Sequence, residues 1–285
     1  MLKGIDVATW QGNSVDWEKA KKEIDFAIIR LGFGNNTLDN TAKRNIAELN
    51  RLGIPYGVYW FSYAYTVDIA KTEAKSAIRY LEELGAKPSY PVYFDWEYDS
   101  RNYAKKFGVT VSNDLLCKMA IAFCEEIKAA GYYPGIYTNP DFVQNHYGKD
   151  IFKTYDLWLA HWATKPWCDA NVWQYTENGK VAGIKGKVDM DYCYVDYPAI
   201  INGTQKPEEE TTDAKFSVSK WGVYSVTPDV GLWLRSGAST EEKAFELMPK
   251  GAKVLCYGFY NGKWYMVASE SGKVGFCHSD FLTKV

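Results

Sequence analysis

The sequence predicts an α/β protein: a largely parallel, barrel-like sheet covered by helices, then a small all-β domain. Three observations carry this. Over the first 200 residues, short apolar runs alternate with segments of helical period, the pattern of a parallel sheet under helices. After residue 140 the long helical segments fade while strands continue, which suits a reduced barrel lacking helices in its last third. From residue 216 onward short strands follow one another with turn signals and no helical period. An open doubly wound sheet is the alternative. No G-x-G-x-x-G or G-x-x-x-x-G-K-S/T loop follows any strand, so nothing points to a nucleotide.

In order, residues 3–8, 26–33, 56–63, 90–97, 134–138, 156–162, 171–176 and 188–195 read as strands, with helical segments between the first five. In 66–84, Ala70, Ala74, Ala77, Ile78, Leu81 and Leu84 share a face, and Gly85 supplies the stop. In 113–130, Leu116, Met119, Phe123, Ile127 and Ala130 do the same, with Ser112 as N-cap and Gly131 closing the helix. Residues 201–215, INGTQKPEEETTDAK, are polar and acidic and read as an extended linker between a domain over 1–200 and another over 216–285. In the latter, Asn261-Gly262 between two apolar runs marks a hairpin, and Ser271-Gly272 a further turn.

Composition excludes several function classes. A net charge of −2 offers no field for nucleic acid or an anionic membrane, and no apolar run is long enough to span a bilayer. MLKGIDVATW enters a strand with no basic region or apolar signal core. The expectation is a protein made to stay in the cytoplasm, one exported by another route, or one whose signal has been removed. Six scattered cysteines and three histidines argue against a zinc site or a Cys–His nucleophile, and no metal or cofactor is expected. Cys117 and Cys124 read as small core residues; Cys256 and Cys277 could face each other on neighbouring strands as a disulfide. The aromatic content, 16%, suits a core or sugar-stacking platforms.

The chemistry is suggested by YPVYFDWE, residues 90–97, an apolar strand that ends in two carboxylates. Strand alternation puts Tyr93, Asp95 and Glu97 on one face and Val92, Phe94 and Trp96 on the other. With the apolar face under helices, the acids look into the barrel at its carboxyl-terminal mouth, the active face of such barrels. Asp6 on the first strand and Asp189 and Asp191 on the last occupy similar positions, and first and last strands are neighbours in a closed barrel. Such a cluster can bind a metal, pair with a buried arginine such as Arg30, or run glycoside hydrolysis. Hydrolysis needs one acid kept protonated and another ionised. Crowding of like charges is the expected device for keeping one protonated.

GIDVATWQG, IIRLGFG, GVYWFSYA, PVYFDWE, GIYTNP, LWLAHW, VWQYT and VDMDY occur in the order seen in glycoside hydrolase family 25, the Chalaropsis-type lysozymes common among phage endolysins and bacterial autolysins. Residues 1 to about 200 resemble that family. The resemblance implies a flattened TIM-like barrel of five βα units and three further strands, and N-acetylmuramidase activity on the β-1,4 bond from N-acetylmuramic acid to N-acetylglucosamine in peptidoglycan. It implies Glu97 as general acid, Asp95 as its partner at the substrate's N-acetyl group or the intermediate, and Asp6 and Asp189 as supporting acids. Tyr59, Phe61, Tyr137, Trp162, Trp173 and Tyr175 lie at or near strand ends. Tyr59, Tyr137 and Trp173 above all, with Phe61, Trp162, Asp191 and Arg30, are the expected substrate contacts. Trp60 stands where the family often has His.

The tail resembles a bacterial SH3-like domain through GLWLRSGAS, with Trp233 for the usual Asn and Leu234 for Val, and through KWYMVASESGKVGFCHSDFL. Cell-wall binding is what that resemblance implies, with the linker tethering the enzyme to an insoluble polymer. The combined expectation is a phage endolysin, with a bacterial autolysin of the same chemistry or a non-catalytic peptidoglycan-binding protein as the alternatives. A chitinase would need Asp at Tyr93; a non-catalytic glycan-binding protein would not be expected to retain Asp6, Asp95, Glu97 and Asp189; a metal hydrolase would need clustered His.

Overall fold

The first sheet closes on itself because its first strand pairs with both the second and the last. A computed structural model describes residues 1–201, 222–260 and 263–285. Two compact units are present, Met1–Thr204 and Gln205–Val285. In the first, strands β1 (Leu2–Val7), β2 (Phe26–Phe33), β4 (Tyr56–Phe61), β5 (Val92–Asp95), β6 (Pro134–Thr138), β7 (Asp156–Ala160), β8 (Val172–Gly179) and β9 (Val188–Cys193) form a ring that β1 closes by pairing with both β2 and β9. The short strand β3 (Thr37–Leu38) is added at β2. The sheet is thus closed, which removes the open doubly wound alternative.

Pairings from β1 through β2, β4, β5, β6, β7 to β8 are parallel, whereas β9 is antiparallel to both neighbours. The reversal has a physical cause. A parallel neighbour needs a crossover, and the short connection 180–187 between β8 and β9 carries no helix.

The helices are α1 (Trp17–Ala20), α2 (Ala42–Leu52), α3 (Val67–Glu83), α4 (Tyr98–Lys106), α5 (Asn113–Ala129), α6 (Pro140–Asn145) and α7 (Tyr197–Ile201). α3 and α5 start and stop where the sequence places them. Thr66 and Ser112 side chains accept from Ile69 N and Leu115 N, and Gly85 and Gly131 adopt positive φ just past the ends. Sequence periodicity does not resolve α4, whose average composition is polar; its N-cap is Glu97.

Alternation sorts the core into two layers. Val58, Trp60, Val92, Phe94, Trp96 and Ile136 face outward under the helices, while Phe26, Ile28, Tyr93, Trp158 and Val172 fill the barrel. Trp60 therefore lies away from the barrel mouth, fully buried, its Nε1 donating to Gly34 O at 2.9 Å.

The second unit is a seven-stranded antiparallel sheet, ordered β12-β11-β15-β14-β13-β10-β16, with β10 Gly222–Val226, β11 Leu232–Arg235, β12 Ala244–Met248, β13 Lys253–Tyr260, β14 Trp264–Ala268, β15 Val274–His278 and β16 Leu282–Lys284. β13 and β14 pair as a hairpin up to Tyr260↔Trp264; the Asn261-Gly262 turn itself, like most of the expected linker, lies outside the described residues. Gly272, at φ +81°, makes the expected turn from β14 to β15. No disulfide joins Cys256 to Cys277, because β14 lies between their strands: Cys256 is registered against Val267 and Cys277 against Tyr265. Both side chains are instead buried in the core of this unit.

Candidate active site

The acids converge at the carboxyl-terminal mouth of the barrel, brought there by three strands and one helix N-terminus. Asp95 is the last residue of β5 and is buried, 3% exposed. Glu97 is not on the strand: the chain leaves β5 at Asp95, and Glu97 becomes the N-cap of α4, its backbone N–H donating to Ser100 Oγ at 3.1 Å. Strand alternation reaches the same mouth for a different reason. Asp6 on β1 is registered opposite Asp189 on β9, and Asp191 lies one inward position further. Asp191 is the more deeply buried of the two.

Two of these acids are anchored by residues outside the sequence expectation. Gln174 on β8 donates from Nε2 to Asp6 Oδ2 at 2.8 Å, and its Oε1 accepts from Trp162 Nε1 at 3.1 Å and faces the Tyr137 hydroxyl at 3.4 Å. Trp158 Nε1 donates to Asp191 Oδ1 at 2.8 Å. Both are legible after the fact: Gln174 is a polar residue at an inward position of an apolar strand, in step with Val172. Arg30 Nε donates to Asp39 Oδ2 at 2.7 Å, and Asp39 is fixed in turn by the backbone and hydroxyl of Thr41.

Burial pushes the acids upward. Asp95 is held well above the carboxylate range first by desolvation and then by the charge of Glu97, while Arg30 pulls it down. Glu97 is raised by desolvation and by Asp99, and a hydrogen bond from Tyr137 opposes this. Asp6 is raised by burial and by Asp191 and Asp189; Asp191 is raised to about 8 and Asp189 to about 6, burial leading in both. Loss of water is the largest single cause for each acid, and like-charge crowding, the expected device, adds to it in every case. Asp95 Oδ1 is buried with no hydrogen-bond partner, an acceptor left open at the mouth.

Of the expected substrate contacts, Tyr59 and Tyr137 pack by their edges on Trp158 at 5.8 and 4.5 Å and lie among the acids. Phe61 and Arg30 line an adjoining cavity of about 500 Å³ with Thr9, Trp10, Tyr63 and Asp99. Trp162 is an exposed ring at the rim. Trp173 is different. It alternates with Gln174, so it and Tyr175 lie on the opposite face of β8, packed with Tyr192, and its Nε1 donates to His161 O at 2.7 Å. Trp10, 82% exposed at the cavity, was not singled out by sequence, where nothing but its position after the first strand marks it. Among the described residues no group of His, Cys, Asp or Glu is arranged to hold a metal ion.

Residues 5–184 match the model for glycosyl hydrolases family 25. The uncharacterized protein YegX of Escherichia coli O157:H7 is 26% identical over 223 residues, 74% of each chain. A lysozyme of Lactococcus phage mv1 is 27% identical over 169 residues, 56% of this chain and 79% of the phage protein. The modular autolysin LytC of Streptococcus pneumoniae, solved alone and with a synthetic peptidoglycan ligand, superposes with a TM-score of 0.59 at 32% identity. That match covers 67% of this chain and 46% of LytC, so this chain spans less than half of it.

Proposed function

We propose that this chain, which belongs to glycosyl hydrolases family 25 and is a glycoside hydrolase, acts as an N-acetylmuramidase on bacterial peptidoglycan. The observation that carries the reading is the pair Asp95 and Glu97 at the barrel mouth, both raised by burial, of which Asp95 faces a cation and Glu97 a hydroxyl. The family resemblance assigns Glu97 the proton that passes to the leaving glycosidic oxygen, and burial raises its carboxyl above the ordinary glutamic acid range. Asp95 is the more strongly raised of the two, with Arg30 opposing, so it is the resemblance and not the resting charge that assigns it the role of steadying the developing positive charge or the N-acetyl group that shares it. Asp6, held by Gln174, and Asp191, held by Trp158, shape the opposite wall with Asp189. Tyr59, Tyr137, Phe61 and Trp162 offer ring faces and hydroxyls to sugars.

The likeness to a phage lysozyme supports a phage endolysin, and the seven-stranded unit is read as an SH3-like wall-binding domain. Synthesis in the cytoplasm followed by release at lysis completes that proposal. The test is digestion of chelator-treated peptidoglycan by wild type and Glu97→Gln, with mass spectrometry of the reduced fragments. New muramic acid ends from wild type alone are expected; new glucosamine ends would overturn the bond assignment, and no ends from either would overturn the enzyme reading.

A further inference from the structure

Glu73 is a carboxyl group that the chemistry above does not use. It lies on α3, fully buried, and its carboxyl faces the turn that follows β4. Oε1 accepts from Tyr63 N at 2.9 Å, and Oε2 and Ser62 Oγ are 2.5 Å apart. Ser62 Oγ also accepts from Ala64 N at 3.1 Å, so one carboxyl and one hydroxyl hold three consecutive residues.

That turn is bonded to the catalytic segment. Ser62 N donates to Asp95 O at 2.7 Å, and Trp96 Nε1 donates to Ala64 O at 2.8 Å. Both residues immediately before Glu97 therefore hang on the three that Glu73 organises. Ser62, Ala64 and Trp96 are fully buried, so no water replaces a lost bond. Tyr63, in the middle of the turn, lines the cavity beside Asp99, which itself acts on Glu97.

We propose that Glu73 is a positioning residue for the Asp95–Glu97 pair, acting through the Ser62–Ala64 turn. This rests on the muramidase reading of that pair. A helix-borne acid buried against a strand end is an expensive way to satisfy two polar groups. It makes sense where the turn must be stiff, because displacement of a reacting group by about 1 Å can cost about a hundredfold in rate.

The test compares full-length wild type, Glu73→Gln, Glu73→Leu and Ser62→Ala on solubilised glycan strands, with kcat and KM measured separately from pH 5 to 9. Gln can accept from Tyr63 N and donate to Ser62 Oγ, and should keep kcat within about threefold. Leu should lower kcat by at least about tenfold with KM changed less than about twofold. It should also move the alkaline limb of kcat toward the ordinary range of a glutamic acid. The reason is that Glu97 leaves the buried setting it shares with Asp95, Asp99 and Tyr137. Ser62→Ala should act in the same direction, less strongly. If the Leu variant is unfolded by circular dichroism, Ser62→Ala decides alone. Wild-type kcat and an unmoved limb in the deciding variant would overturn the proposal. An inactive wild type would overturn the muramidase reading instead.

Discussion

Replacing Glu73 by Gln should make the protein more stable as the pH rises. Burial raises the Glu73 carboxyl from an ordinary 4.5 to about 8, with Ser62 and Tyr63 opposing. A raised folded-state pKa means that its contribution is fully present below pH 4.5 and is lost as pH rises through 8, because the unfolded chain releases the proton first. The interval is about 3.5 pH units, and at 1.36 kcal/mol per unit it amounts to a ceiling of about 5 kcal/mol. Gln does not titrate and can make both contacts. The stability gap between variant and wild type should therefore be smallest near pH 4.5 and widen to several kcal/mol by pH 8. Urea unfolding followed by tryptophan fluorescence at half-unit pH steps measures it, with the gap taken at each pH from the same transition. A gap that stays flat between pH 5 and 8 would refute the reasoning, since Glu73 would then be ionised in the folded protein.

Further outcomes are expected elsewhere. Asp95→Asn should lower kcat by about a hundredfold or more while raising Tm at pH 7, because a buried acid held above its usual range is removed; kinetics and calorimetry together check it. Trp60→His should cost about 2–4 kcal/mol of stability and leave kcat/KM within about threefold, since the ring faces the helices; an effect mainly on kinetics would contradict the assigned face. Trp162→Ala should raise KM several-fold with stability unchanged, whereas Trp173→Ala should lower Tm with KM unchanged, as read from melting curves and saturation kinetics.

The strands and the two long helices were legible because their signals are local. Ala70 to Leu81 on one face, a capping Thr66 and a closing Gly85 act within a few residues of each other. Asp6, Asp95, Asp189 and Asp191 were legible for the same reason: alternation along a strand assigns a face without knowledge of the neighbours. Alternation assigns no face beyond the end of a strand, and β5 ends at Asp95. Glu97 sits past the end of β5, and its orientation comes from capping α4 rather than from the pleat. Trp173 alternates with the inward Gln174 and so faces outward, and a third strand separates Cys256 from Cys277.

By itself the sequence determined the alternation of strands and helices, the acids at the strand ends, and, through the order of its motifs, the family. Only the tertiary structure decided that β9 runs antiparallel, that Gln174 holds Asp6 and Trp158 holds Asp191, that Arg30 pairs with Asp39 and lowers Asp95, and that Glu73 holds the turn after β4. The physical reason is range. Propensity and periodicity act over a turn or a pleat, whereas desolvation and charge pairing depend on which residues, up to 168 positions apart, the closed barrel brings within hydrogen-bonding distance.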